Sequence, residues 1–133
     1  MNYKDKCRAI EELLEKISHT HDQCHTALYL HRIYLNFENL IEYYIARNRI
    51  FVEHDGSYHK MILTYFVNDM AKNGFVCENL WTLLEELRGF RHIFVKRSDI
   101  WCFDDAKLDT LKQGLLNQKD VFLQLLEDTF YDV

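Results

Sequence analysis

The sequence predicts an all-α fold, a bundle of four to five helices, and three observations carry that prediction. There is no proline, and only four of 133 residues are glycine. That suits long helices, because proline breaks a helix interior and glycine weakens it. Apolar residues recur three and four positions apart along successive stretches, the stripe of an amphipathic helix. A hydrophobic share of 48% and an aromatic share of 14% supply the core. A chain of this length buries roughly two-thirds of its unfolded surface on folding.

The first helix follows from Tyr3, Cys7, Ile10, Leu14 and Ile17. His19 to Asp22 has helix-start character. A longer pattern then runs through Ala27, Leu30, Tyr34, Phe37, Ile41, Tyr44 and Ile45. It is apolar on more than one side, which predicts a central helix. Glu53 to Ser57 reads as a turn and then a cap. The third helix is expected from about Tyr58 to Lys72, buried through Ile62, Tyr65, Phe66 and Met70. Asn73-Gly74 ends it, a pair suited to a left-handed helix terminus. The fourth begins near Glu78 and carries Leu80, Leu83, Leu84, Leu87 and Phe94. Lys96 to Asp105 breaks the period and reads as a loop. One last helix carries Leu108, Leu111, Leu115, Phe122, Leu125 and Thr129, with Gly114 costing it about 1 kcal/mol against alanine. No repeat, low-complexity tract or linker divides the chain, so residues 1–133 read as one domain.

The net charge of −5 argues against a broadly basic nucleic-acid surface, and no DNA partner is expected. The first sixteen residues are charged and amphipathic, unlike a signal peptide. No apolar run approaches the roughly 18 residues of a membrane helix. The cysteines at 7, 24, 77 and 102 form no C-x-x-C pair, and free buried thiols in a cytoplasmic protein are expected rather than disulfides. His21, Asp22, Cys24 and His25 invite a metal, but zinc needs three or four ligands and no second cluster is evident. A polar helix start with a buried cysteine explains them, and no metal or cofactor is expected. Tyr29, Tyr34, Tyr43, Tyr44 and Tyr65 offer stacking surfaces for bases; at helical spacing they fit a core or a dimer interface.

Charge is uneven at one place. Residues 88–97, Arg-Gly-Phe-Arg-His-Ile-Phe-Val-Lys-Arg, hold four of the 16 basic residues and none of the 21 acidic ones. Cations at a helix C-terminus offset its macrodipole by a few tenths of a kcal/mol, about the low end of that effect. The same island suits a phosphate site, in which arginines neutralise charge and a histidine moves protons.

Three stretches resemble the HEPN superfamily, and most closely its HepT-like ribonuclease toxins. They are Leu30-His-Arg-Ile-Tyr-Leu-Asn-Phe-Glu-Asn-Leu-Ile-Glu42, Asp55-Gly-Ser-Tyr-His-Lys-Met-Ile-Leu63 and Leu84-Glu-Glu-Leu-Arg-Gly-Phe-Arg-His-Ile-Phe94. With the helix order, the resemblance spans nearly the whole chain, and the third stretch is the most specific. The resemblance implies a HEPN-like up-and-down bundle that dimerises, placing two motif copies in one cleft for RNA. It also implies metal-independent RNA cutting within a toxin–antitoxin pair, opposite a small nucleotidyltransferase antitoxin that modifies a motif tyrosine.

The family motif is an arginine, often followed by Asn, Asp or His, with a histidine four to six residues after the arginine. Arg91 and His92 match its first two positions; the histidine position holds Lys96 and the tyrosine position Ser98. Arg91, His92, Lys96 and Arg88 are therefore the candidate catalytic residues. Arg97, His59 and Lys60 are the candidate RNA contacts, with a capping or core role the alternative for His59. Histidine, with a pKa of about 6.5, suits proton transfer near neutrality. Lysine begins near 10.4 and would need a depression of roughly three units, so Lys96 fits a fixed charge on phosphate better than a base. Arg88 and His92 lie four apart, on one helical face, which gives a second register for an arginine–histidine pair. A catalytically inactive module that binds RNA, a nucleotide or the nucleotidyltransferase is the alternative to the enzyme.

Overall fold

A computed structural model describes the backbone of residues 3–96 and 104–131 and the side chains of 3–91 and 104–131. Among these residues the chain is helical, with no strand: α1 (Tyr3–Ser18), α2 (Gln23–Arg47), α3 (Tyr58–Lys72), α4 (Glu78–Lys96), α5 (Asp105–Asn117) and α6 (Lys119–Leu126). A π-helical turn, Glu127–Tyr131, follows. The all-α bundle is as expected, with one correction. The single last helix is two, separated at Gln118. The sequence holds no proline or glycine at that position to announce the break, and the apolar stripe continues across it through Leu115 and Phe122.

α2 is the central helix. It packs against α1, α3, α4 and α5 and buries Ala27, Leu30, Ile33, Tyr34, Phe37, Leu40, Ile41, Tyr44 and Ile45. Its start is capped by Asp22, whose carboxylate accepts from the His25 backbone N–H at 3.0 Å; such a cap satisfies a donor that the first turn leaves orphaned. At the heart of the core, Phe37 meets Phe66 and Phe122 edge-on with ring centroids 5.8 and 5.3 Å apart. Edge-to-face contacts of this kind add to simple area burial. α1 lays Cys7, Ile10, Leu13, Leu14 and Ile17 into the same core. Lys112 of α5 donates to the Thr20 carbonyl at 2.6 Å, tying α5 to the α1–α2 turn.

Two helices end in Schellman motifs, which satisfy the last carbonyls. At α3, Phe75 N–H donates to the Met70 carbonyl and Gly74 N–H to Ala71, with Gly74 at φ 92°. That is the left-handed terminus expected of Asn73-Gly74. At α2 the same two bonds run from Ile50 to Ile45 and from Arg49 to Ala46, but the left-handed position is Arg49, at φ 57°. The start of α3 departs from the expectation in one detail. Ser57 is the N-cap residue but makes no side-chain cap; instead the Asp55 carboxylate accepts from both the N–H and the hydroxyl of Ser57, at 2.8 and 2.7 Å.

These short features fix where α3 begins, and so where Tyr58 and His59 stand against α2. The thiol expectation is corrected in part: Cys7 is buried and Cys77 half-buried, but Cys24 is exposed, and Cys102 lies outside the described residues. Among those residues no helix is long and apolar enough to cross a membrane.

Candidate functional site

One charged residue is buried in the core of the described chain. Glu38, on α2, is 2% exposed. It sits four residues after Tyr34 and three before Ile41, on the buried stripe of a helix that packs on several sides. An ionised carboxylate in such a place is costly unless cations and hydrogen bonds face it. Two nitrogen-bearing side chains do, an imidazole and a guanidinium, each supplied by a different helix.

From the first turn of α3, His59 Nδ1 lies 2.8 Å from Glu38 Oε1. From α4, a guanidinium nitrogen of Arg91 lies 3.7 Å from the same oxygen, an ion pair too long to be a hydrogen bond. Three buried polar atoms around this junction have no hydrogen-bond partner among the described residues: Glu38 Oε2, Arg91 Nε and the Tyr34 hydroxyl. Tyr58, beside His59, donates its hydroxyl to Glu42 at 2.7 Å and stacks on His54 with centroids 4.0 Å apart. α2 thus presents Tyr34, Glu38 and Glu42, at successive i, i+4 positions, to the start of α3 and the end of α4.

The electrostatics follow from burial. Desolvation pushes the Glu38 carboxyl above the ordinary carboxylate range, while Arg91 and then His59 pull it partly back. Burial, and then the charge of Glu38, raises the Tyr34 phenol. Burial, then the nearby Arg91 and Arg32 charges, lowers His31. Arg88 is held by Glu85, with nitrogen–oxygen distances of 3.1 and 2.5 Å. That hydrogen bond, first, keeps its guanidinium protonated.

Of the residues singled out in the sequence, Arg91 and His59 therefore meet at one carboxylate. Arg88 stands one turn before Arg91 but is engaged by Glu85. Lys60, the residue after His59, is exposed. His92 and Lys96 belong to the last turns of α4, but their side chains lie outside the described residues, as do Arg97 and Ser98 entirely. His21, Cys24 and His25 form no metal site, and no group of three such side chains among the described residues does; Asp22 instead engages both the backbone and the ring of His25.

Glu38, Tyr34, Glu42 and Tyr58 were not expected as site residues. A signal for Glu38 exists in the sequence: it is the charged residue amid Ile33, Tyr34, Phe37, Leu40, Ile41, Tyr44 and Ile45, at a spacing that points it inward.

Chemically, the arrangement places a half-exposed imidazole beside a guanidinium, both anchored on one buried carboxylate. An ionised carboxylate only accepts hydrogen bonds. His59 Nδ1 must then donate, and its Nε2 carries the free lone pair. A cation for a phosphate oxygen and a group able to move a proton stand side by side. No family model, curated protein or solved structure matches the chain.

Proposed function

We propose that the protein is a HEPN-like, HepT-type helical module that handles RNA at the basic end of α4, cutting it without a metal. The observation that carries this is Arg91. It combines a side chain 17% exposed, a position in a ten-residue window with four basic and no acidic residues, and a buried anchor in Glu38. A guanidinium so held presents a fixed fork to phosphate, at little entropic cost on binding. A homodimer would set two such corners along one groove, and a small nucleotidyltransferase is the partner that the family resemblance implies.

A binding-only role is the second possibility, and particular residues favour it: Lys96 and Ser98 stand where the motif has histidine and tyrosine. Ser98 also removes the tyrosine on which an antitoxin would act. The two separate in one assay, with purified protein, structured and unstructured RNA, EDTA throughout, and mapping of the ends. An enzyme gives 2′,3′-cyclic phosphate ends that vanish in Arg91→Ala. RNA that stays intact yet bound after long incubation with wild-type protein supports the binding role.

A further inference from the structure

We propose that His59 is the proton carrier of this site and that Glu38 is the positioning residue that aims it. This rests on the site acting on a phosphodiester with a neighbouring hydroxyl. The histidine of the family motif is replaced by Lys96, a poor base at neutral pH, so a ribose hydroxyl needs another acceptor for its proton. His59 has the required features. Its ring is half exposed, with 43% of the side chain accessible, while the carboxylate it touches is 2% accessible. A buried carboxylate on Nδ1 fixes ring rotation and tautomer and stabilises the imidazolium once formed, and it leaves Nε2 as the base. Arg91 shares that carboxylate oxygen, so a phosphate held by the guanidinium lies beside the imidazole.

The titratable and charged groups that surround His59, its neighbour Tyr58 and its partner Glu38 are Glu42 and Tyr34 from α2, His54 from the preceding loop, and Arg91 and Arg88 from α4. Glu38 makes the direct hydrogen bond to the ring. In the step itself the 2′-hydroxyl gives its proton to His59 Nε2, and its oxygen bonds to phosphorus. The bond from phosphorus to the leaving oxygen breaks, and that oxygen takes a proton from water. The hydroxide so formed removes the proton from His59 and resets it. The products are a cyclic phosphate and a free hydroxyl end.

The test uses the full chain and a single-stranded RNA in EDTA, between pH 5 and 9. Wild-type cutting should rise with pH and level off, as a general base loses its proton. His59→Ala should cut on the order of 100-fold more slowly or worse, and free imidazole in the buffer should restore part of the rate. His59→Gln, which keeps a polar side chain, serves if the alanine variant loses helical circular dichroism. Glu38→Gln should lower kcat while leaving KM largely unchanged, because a neutral amide no longer steadies the imidazolium formed in the step. Arg91→Ala should not respond to imidazole. Cutting by His59→Ala or His59→Gln within a few fold of wild type, or a loss that imidazole does not touch, overturns the role of His59 while the enzyme survives. Absence of any wild-type cutting overturns it together with the enzyme, and retention of the RNA on the protein then identifies the binding module.

Discussion

At the scale of single residues, Glu38 decides most. Its carboxylate is buried and faced by the His59 imidazole and the Arg91 guanidinium from separate helices, so removing it leaves Arg91 with a buried nitrogen and no counter-charge. Glu38→Ala should destabilise the fold by about 3 kcal/mol, read as a lowered urea midpoint. The pH dependence has a definite sign. Burial raises the folded-state pKa of Glu38 above its unfolded value, so the folded state holds this proton more tightly. Its contribution is greatest below the unfolded pKa and is lost as pH rises through the raised folded value. The stability of wild type relative to Glu38→Gln, an uncharged isostere, should therefore fall as pH rises above about 4, the range of the unfolded carboxylate; a relative stability that rises with pH contradicts the account. Arg49 is the other residue with a clear prediction. It occupies a left-handed position at φ 57°, where a Cβ is strained and glycine is not. It is also exposed, so little packing is lost on substitution. Arg49→Gly should raise stability by about 1 kcal/mol, visible as a higher Tm.

At the scale of elements, the helix ends set the geometry of the site more than the helix middles do. The Asp55 turn and the α2 Schellman bonds fix the entry to α3, and with it the position of His59 against Glu38. α5 begins on an equally explicit cap: Asp104 accepts from the Ala106 and Lys107 N–H groups at 3.0 and 3.3 Å. Asp104→Ala should cost about 1 kcal/mol, a drop in Tm of roughly 3–5 °C for a chain of this size. Gly114 matters for packing rather than freedom. A Cβ there would lie 3.1 Å from Leu83 Cδ1, so the helix propensity that alanine gains is offset by a crowded α4–α5 contact. That close approach explains a glycine inside α5 better than propensity alone.

For the molecule as a whole, the helices were legible because each carries its own period and its own ends. Tyr58 to Lys72 with Asn73-Gly74 is the plain example: bounds and stop signal coincide with the structure, and Ile62, Phe66 and Met70 are buried as expected, while Leu63 is buried and Tyr65 only half-buried. The break at Gln118 was not legible, because the apolar stripe runs on through Leu115 and Phe122 while the backbone does not. Half of the site was legible in the same way. Arg91 stood out through local charge and His59 through its place at a helix start. Glu38 needed the third dimension, since only the approach of α3 and α4 to α2 turns a lone glutamate into the anchor of both. Arg88 shows the converse. It offered a second register beside Arg91 in sequence, and Glu85 on its own helix occupies it.

The central claim is that the Arg91 corner receives the phosphate of an RNA strand, whether or not the strand is then cut. The direct measurement is binding of a labelled single-stranded RNA to wild-type protein and to Arg91→Ala, followed by fluorescence anisotropy across a series of salt concentrations. The account predicts saturable wild-type binding that weakens with salt. For Arg91→Ala it predicts about tenfold weaker binding and a shallower dependence of log affinity on log salt, by roughly one phosphate contact. Binding that is unchanged in Arg91→Ala, or a wild-type protein that shows no saturable binding even at low salt, would contradict it.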